Sequence, residues 1–219
     1  MGKSIKKISR KRIISNKKSR NKFSIKNEYR ESLRYIKESD NYIAIVVGVF
    51  ALLFMLGFIF PYIAPKEALD PILLIVQDWV KDILTKTENL GFLGLWSFIF
   101  QNNSMVAFLS LFSGFIFGIL PIIFLFSNAL FVGLISGLVV NVSGISMFWR
   151  LIPHGIFELP AIFISIALGI RFGSFIFHKK PFDIFKYYFI NSIRVFIFII
   201  LPLLLIASFI EAILITLLG

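Results

Sequence analysis

The sequence predicts an all-α membrane protein: a polytopic helix bundle of about five transmembrane helices, with one further, external amphipathic helix. Three observations support this prediction. Hydrophobic residues make up 58% of the 219 residues, including 27 phenylalanines, whereas a soluble domain is about 45–50% apolar. The mean hydropathy is +0.86. The apolar residues also fall in long runs, and roughly 20 residues of helix at about 1.5 Å per residue cross the hydrocarbon of a bilayer.

The positive charge of the chain is concentrated at its N-terminus. Residues 1–40 carry 14 Lys and Arg against four Asp and Glu, which accounts for +10 of the net charge of +11. We therefore divide the chain into a basic cytoplasmic tail with a short interfacial helix, 1–40, and a membrane domain, 41–219. The tail is expected to bind anionic lipid headgroups. Beside a membrane span, such a tail indicates lipid binding and topology rather than nucleic-acid binding, so no nucleic-acid partner is expected.

The end of the tail has a helical pattern. Tyr29, Leu33 and Ile36 lie at helical spacing among charged residues. The pattern indicates a short helix on the cytoplasmic surface of the membrane, and a solvated linker helix fits it nearly as well.

Five crossings are predicted from the apolar runs, at 42–63, 104–120, 122–140, 148–172 and 188–218. Residues 93–100 are interpreted as a short entry segment, and 101–104 as a polar break before the second crossing. Residues 66–90 have a net charge of −2 and apolar residues at helical spacing. We interpret them as an amphipathic helix on the outer surface, with Trp79 at the lipid interface.

The orientation of the chain follows from its basic residues. Besides the tail, basic side chains crowd the segment after the fourth crossing, at Arg171, His178, Lys179, Lys180 and Lys186. Basic loops stay in the cytoplasm. The sequence therefore predicts a multi-pass protein of the cell membrane with the N-terminus cytoplasmic and the C-terminus external.

Small residues recur at four-residue spacing in three successive crossings. The pairs are Gly114 with Gly118, Gly133 with Gly137, and Gly169 with Gly173. Such faces let helix backbones approach closely in lipid, where the hydrophobic effect does not drive helices together. Three pairs in one chain favour packing within the bundle over dimerisation.

The fourth crossing carries ionisable residues that are costly inside a membrane. His154 and Glu158 are four residues apart and share one helical face, bracketed by Pro153 and Pro160. We expect them to face a protein-lined polar site. They either lock the bundle as a hydrogen-bonded pair or form a proton- or substrate-linked site. Asn102, Asn103 and Arg150 are expected as partners, with Asn128 as a further candidate; the Asn102–Asn103 pair could alternatively cap the second crossing.

The same stretch resembles a known family. The residues Pro153-His154-Gly155, Glu158 and Pro160-Ala161, followed by Gly169, Arg171 and Gly173, are similar to the signature of the stage II sporulation protein M family of integral membrane proteins. Its named bacterial members act in forespore engulfment with cell-wall-degrading partners. The resemblance therefore implies a scaffold or subunit of a membrane complex, with membrane-protein partners.

The residues bear on two other classes of function, an enzyme and a transport component. For an enzyme, His154 and Glu158 supply at most two metal ligands, whereas a catalytic zinc site usually has three plus water. We therefore expect no enzyme, metal or cofactor, although an intramembrane hydrolase is not fully excluded. A membrane-transport component for a small solute or lipid is the alternative to the scaffold. The sequence has no nucleotide-binding loop, so any ATPase would be a separate chain.

Overall fold

The computed structural model describes residues 24–218, without the side chains of residues 143, 147–151 and 218. The described chain is helical, with no strand. Its α-helices are α1 (Ile25–Lys37), α2 (Asp40–Ile63), α3 (Lys66–Thr87), α4 (Phe92–Phe112), α5 (Ile119–Ser143), α6 (Phe148–Gly173), α7 (Pro181–Val195) and α8 (Leu201–Leu218). A π-helical turn, Phe196–Ile200, joins α7 to α8, so these two form one continuous rod.

Five helices are long and apolar enough to cross a membrane, as predicted. They are α2, α4, α5, α6 and the α7–α8 rod. The amphipathic α3 lies between the first two crossings in the chain and contributes no buried residue. The all-α, multi-pass architecture and the amphipathic helix are therefore confirmed.

Three predicted boundaries are wrong. Residues 101–104 do not break the second crossing, because α4 is continuous from Phe92 to Phe112. A helix satisfies its own backbone hydrogen bonds, so polar side chains can occur within it without ending it. The turn to the next crossing comes earlier than Pro121, at Phe117 and Gly118, which both have positive φ. Pro121 instead lies in the first turn of α5, where no backbone N–H is needed. The last crossing begins at Pro181, seven residues before the predicted start.

Helix α6 is the centre of the bundle. In its most apolar stretch 56% of the residues are buried, against 17–28% in the other four crossings. It packs against α2, α4, α5 and α8, and Ile166 and Leu168 are fully buried. A polar group on α6 is therefore enclosed by protein more readily than one on any other crossing.

The six glycines predicted to pack lie where helix backbones meet. A Cβ atom added to Gly114, Gly133, Gly137, Gly169 or Gly173 would overlap the backbone of a neighbouring helix or turn, whereas one added to Gly118 would only touch α6 at van der Waals distance. The neighbours are Gly114 with Gly169, Gly118 with Gly173, Gly133 with Phe54, and Gly137 with Phe58. These contacts join α6 to the turn between α4 and α5, and α2 to α5.

Helix α1 is docked on the bundle. The Nε of Arg194 lies 2.6 Å from a carboxylate oxygen of Glu28, and the hydroxyl of Tyr187 donates a hydrogen bond to Glu38 at 2.9 Å. Ser32 and Tyr35 are buried against the bundle. Since α1 packs on α7, we call this end of the bundle the α1 end, and the opposite end, which carries α3, the α3 end.

Helix α3 touches the bundle lightly. The ring of Trp79 packs edge-on against Phe131, with ring centres 5.1 Å apart. Phe131 is the thirteenth of the 25 residues of α5, about 18 Å from either end of that helix at 1.5 Å per residue. The ring of Trp79 therefore reaches beside the middle of a crossing and is deeper than the interfacial position expected from the sequence.

Candidate polar site between α6 and α8

Three ionisable side chains meet between α6 and α8, near the α3 end. One ligand-type atom from each of His154, Glu158 and Glu211 lies within 4.8 Å of the other two. All three side chains are half-buried. The structure thus adds Glu211 of α8 to the His–Glu pair that the sequence singles out on α6.

The local sequence explains why these groups converge. His154 and Glu158 are one turn apart on α6, so their side chains project from the same face. Glu211 precedes Ala212, which is fully buried in a cluster with Leu95 and Ile99 of α4. That packing orients the turn of α8 from which Glu211 projects.

A hydrogen bond between α4 and α8 fixes the same region. The indole Nε1 of Trp96 donates to the hydroxyl of Ser208 over 3.2 Å. The Trp96 ring also packs edge-on against Phe209, at 5.6 Å between centres. The turn of α8 next to Glu211 is therefore held by directional contacts as well as by apolar packing.

The three groups lie at one depth because their helices run in opposite directions. His154 is six residues and Glu158 ten residues from the start of α6, and Glu211 is seven residues before the end of α8. At about 1.5 Å per residue these positions are roughly 9–15 Å from the α3 end. The site is therefore within the apolar part of the crossings but closer to one surface.

The other predicted members of the polar site are arranged differently. Asn102 is exposed on α4, and Asn103 is half-buried next to it. Both lie in the middle of a helix, so neither caps it. Asn128 donates to the carbonyl of Phe124 in its own helix at 2.8 Å, and the side chain of Arg150 lies outside the described residues. In the described chain, His154, Glu158 and Glu211 are the groups brought together as a possible metal-ligand set.

A second polar cluster forms at the α1 end, around Arg171. The sequence assigned this residue to an exposed basic loop, but it lies in the last turn of α6 and is only 9% exposed. Its guanidinium hydrogen-bonds to the hydroxyl of Ser39 and, at 3.3 Å, to the carbonyl of Tyr35. It also lies 3.7 Å from a carboxylate oxygen of Glu38. Arg171 therefore joins α6 to the junction of α1 and α2.

The sequence reasoning thus did not place two charged residues, Glu211 and Arg171, in the polar clusters to which they belong. For Glu211, the signal was its position near the C-terminal end of the last crossing, at the depth where His154 and Glu158 lie in the fourth. For Arg171, the signal was the regular spacing Gly169, Arg171, Gly173. Glycines at either side let α6 approach its neighbours closely, so the arginine between them is enclosed.

The residues of the α6–α8 site can bind protons and cations. An imidazole and two carboxylates can exchange protons or coordinate a cation. Two carboxylates this close in an apolar region repel one another when both are ionised. The arrangement therefore favours a bound positive charge, either a proton or a metal ion.

Comparisons with known proteins identify the family. The family model described as Stage II sporulation protein M matches residues 44–214, which include all five crossings almost completely. No curated protein matches the chain, and no solved structure does.

Proposed function

Because the chain belongs to the stage II sporulation protein M family, we propose that it is a subunit, in the role of a scaffold, of a larger complex in the membrane. Its partner is proposed to bind to the outward face of α4. We define this face by five exposed residues at helical spacing: Leu93, Ser97, Gln101, Met105 and Leu109, with Asn102 beside them.

The observation that carries the proposal is a pair of exposed amides in the middle of a crossing. Gln101 and Asn102 are the tenth and eleventh of the 21 residues of α4, and both are exposed. An amide has two donors and an acceptor with two lone pairs. Gln101 satisfies one donor on the hydroxyl of Ser97, at 2.8 Å. Facing hydrocarbon, the remaining groups would each cost on the order of 1 kcal/mol or more.

The rest of the face fits a transmembrane partner. Leu93 toward one end, and Met105 and Leu109 toward the other, are 69%, 58% and 43% exposed. Apolar ends around a polar centre suit helix association in lipid, because interhelical hydrogen bonds from Asn and Gln contribute roughly 0.6–2 kcal/mol each. Of the five crossings, α4 is also the least apolar and the least buried.

We assign this face to a membrane helix of another polypeptide. The resemblance in the sequence implies partner proteins, and the glycine pairs that could otherwise dimerise the chain are already used within the bundle. A partner helix carrying Ser, Thr, Asn or Gln at half depth would complete the hydrogen bonds of Gln101 and Asn102.

Photo-crosslinking in the native membrane tests the assignment. A photoreactive amino acid at position 105, on the same face but not one of the two amides, should give one discrete adduct with a second polypeptide, and Asn102→Leu in the same chain should abolish it. The control position is Leu52, an exposed residue midway along α2. Lipid adducts alone at both positions would contradict the proposal. If the adduct contains only two copies of this 25.1 kDa chain, the partner is a second copy of the chain and the proposed complex is a homodimer.

A second candidate, a membrane-transport component, is favoured by one specific observation. His154, Glu158 and Glu211 converge inside the crossings, and ionisable groups there commonly mark proton or ion pathways. Proteoliposomes of the purified chain should then show a proton or solute flux that Glu211→Gln abolishes. Absence of any flux above that of empty liposomes would remove this candidate.

A further inference from the structure

We propose that His154, Glu158 and Glu211 bind one divalent cation, of the class of Zn²⁺ or Mn²⁺, between α6 and α8. This inference does not depend on the docking face of α4, which uses other residues. It goes beyond what the sequence indicates, since His154 and Glu158 alone give two ligands and the third comes from α8.

The distances between the donor atoms suit a single ion. Zn²⁺ lies about 2.0–2.2 Å from imidazole nitrogen and carboxylate oxygen, so three tetrahedral donors are roughly 3.4 Å apart. The three donors here are within 4.8 Å of one another. Closing the difference takes about 1.5 Å at most, a shift that rotations of two glutamate side chains can supply.

The charges also suit a divalent ion. A neutral imidazole with two carboxylates carries a charge of −2, which one divalent cation neutralises. In an apolar region a neutral cluster costs far less than two uncompensated carboxylates. A single shared proton would leave one negative charge, so a divalent cation compensates the site more completely.

The types of ligand select the class of cation. Imidazole nitrogen suits Zn²⁺ and other transition metals, and carboxylate oxygen suits Mn²⁺ and Zn²⁺ alike. Three protein ligands would leave at least one position of the ion for water or another small ligand. The chain has no Cys, so a thiolate site for a softer ion is not available.

The bound ion would join α8 to α6 across the bundle. Near Glu211, α8 is held against α4 by the packing of Ala212 and by the hydrogen bond from Trp96 to Ser208. The ion adds a link from the α6 side, so three crossings are tied together at this depth. A bound cation should therefore stabilise the protein by mass action.

Metal binding by the wild-type chain is the first test and needs no variant. The full chain, purified in detergent and stripped with a chelator, should bind one Zn²⁺ per chain. Co²⁺ as the probe should give the visible absorption bands of a four- or five-coordinate ion, which Zn²⁺ displaces. Failure to bind either ion above the level of the detergent alone would overturn the proposal.

Variants then assign the ligands. His154→Gln, Glu158→Gln and Glu211→Gln should each weaken Zn²⁺ binding at least tenfold and remove the stabilisation by Zn²⁺. The matched controls are His178→Gln and Glu67→Gln, which are exposed and should bind as the wild type does. Equal binding by Glu211→Gln and the wild type would overturn the assignment. If a variant fails to fold, Glu211→Asp with a changed Co²⁺ spectrum serves the same purpose, and an unchanged spectrum counts against the site.

Discussion

The guanidinium of Arg171 lies 4.4 Å from the centre of the ring of Tyr35. Arg171 lies in the last turn of α6, the central crossing, and Tyr35 belongs to α1, the helix before the first crossing. The ring of Tyr188 on α7 lies 5.1 Å from the same group. A guanidinium close to two aromatic rings gains cation–π attraction from each of them. This pair therefore connects the basic tail region to the core of the membrane bundle.

The first prediction concerns Arg171. Arg171→Gln removes the ion pair with Glu38, the bond to Ser39 and the stacking on Tyr35. We expect the free energy of unfolding in detergent to fall by about 2–4 kcal/mol, as for other partly buried ion pairs that lose one partner. Trypsin should then cut within α1 faster than in the wild type.

The control for this experiment is Lys180→Gln. Lys180 is exposed, with its ammonium 4.0 Å from Asp183, so its loss should change the free energy by less than about 1 kcal/mol. If Arg171→Gln has the same free energy of unfolding and the same rate of tryptic cleavage as Lys180→Gln, Arg171 does not hold α1 on the bundle.

The second prediction is a dependence of stability on alkaline pH. Burial raises the pKa of the Tyr35 phenol above its ordinary value of 10.0, and the charge of Arg171 offsets only part of that rise. In the unfolded chain Tyr35 ionises near pH 10, while in the folded chain it keeps its proton. The contribution of Tyr35 to the free energy of unfolding is therefore fully present below about pH 10. It is lost as the pH rises further, by up to about 1.4 kcal/mol per pH unit.

Unfolding measured between pH 9 and 11.5 checks this. Tyr35→Phe should show a shallower loss of stability with rising pH than the wild type, whereas Tyr29→Phe, at an exposed position of the same helix, should show the wild-type slope. Identical slopes for all three proteins would be incompatible with a buried Tyr35.

The third prediction compares two glycines. A Cβ at Gly169 would press on the carbonyl of Ser110 and lie 2.8 Å from Cγ of Pro121, whereas at Gly48 nothing lies within 4 Å. Gly169→Ala should therefore lower the free energy of unfolding by about 1–3 kcal/mol. Gly48→Ala should leave it unchanged or raise it, because Ala favours the helix by roughly 1 kcal/mol. Equal stability of the two variants would refute the close crossing at Gly169.

The fourth prediction fixes the orientation of the bundle. The chain has no Cys, so single cysteines can be introduced without background. Glu67→Cys, at an exposed position in the first turn of α3, should react with a membrane-impermeant thiol reagent from outside the cell. Lys179→Cys, in the turn before α7, should react only after the membrane is opened. The reverse pattern would invert the predicted orientation, with the N-terminus outside.

Much of the fold was predictable because the length and composition of apolar runs determine the crossings. The polar residues 101–104 led to the wrong prediction of a break in the second crossing. Composition alone does not distinguish a break from a continuous helix that carries polar side chains on one face. The backbone of α4 forms its hydrogen bonds regardless of its side chains. Only the packing of α4 on α6 and α8 shows that Asn102 points outward.

The candidate site was half predictable. His154 and Glu158 share a helical face because they are four residues apart, and this spacing can be read from the sequence itself. Glu211 is more than 50 residues away in the chain, and its approach depends on how α8 packs against α6. Likewise, Arg171 counted as a loop cation because its burial depends on α1, a helix more than 130 residues earlier.

The measurement that most directly tests the proposed role as a complex subunit is the size of the native assembly. Membranes would be solubilised gently, and the assembly resolved by native electrophoresis for the wild type and for Gln101→Leu/Asn102→Leu. The matched control is Leu52→Ile, at an exposed position midway along α2. We predict that the wild type and the control migrate in one large complex, and that the double variant, folded and inserted, migrates as the free chain. Migration of all three proteins as the free chain, or of all three in the same complex, would contradict the account.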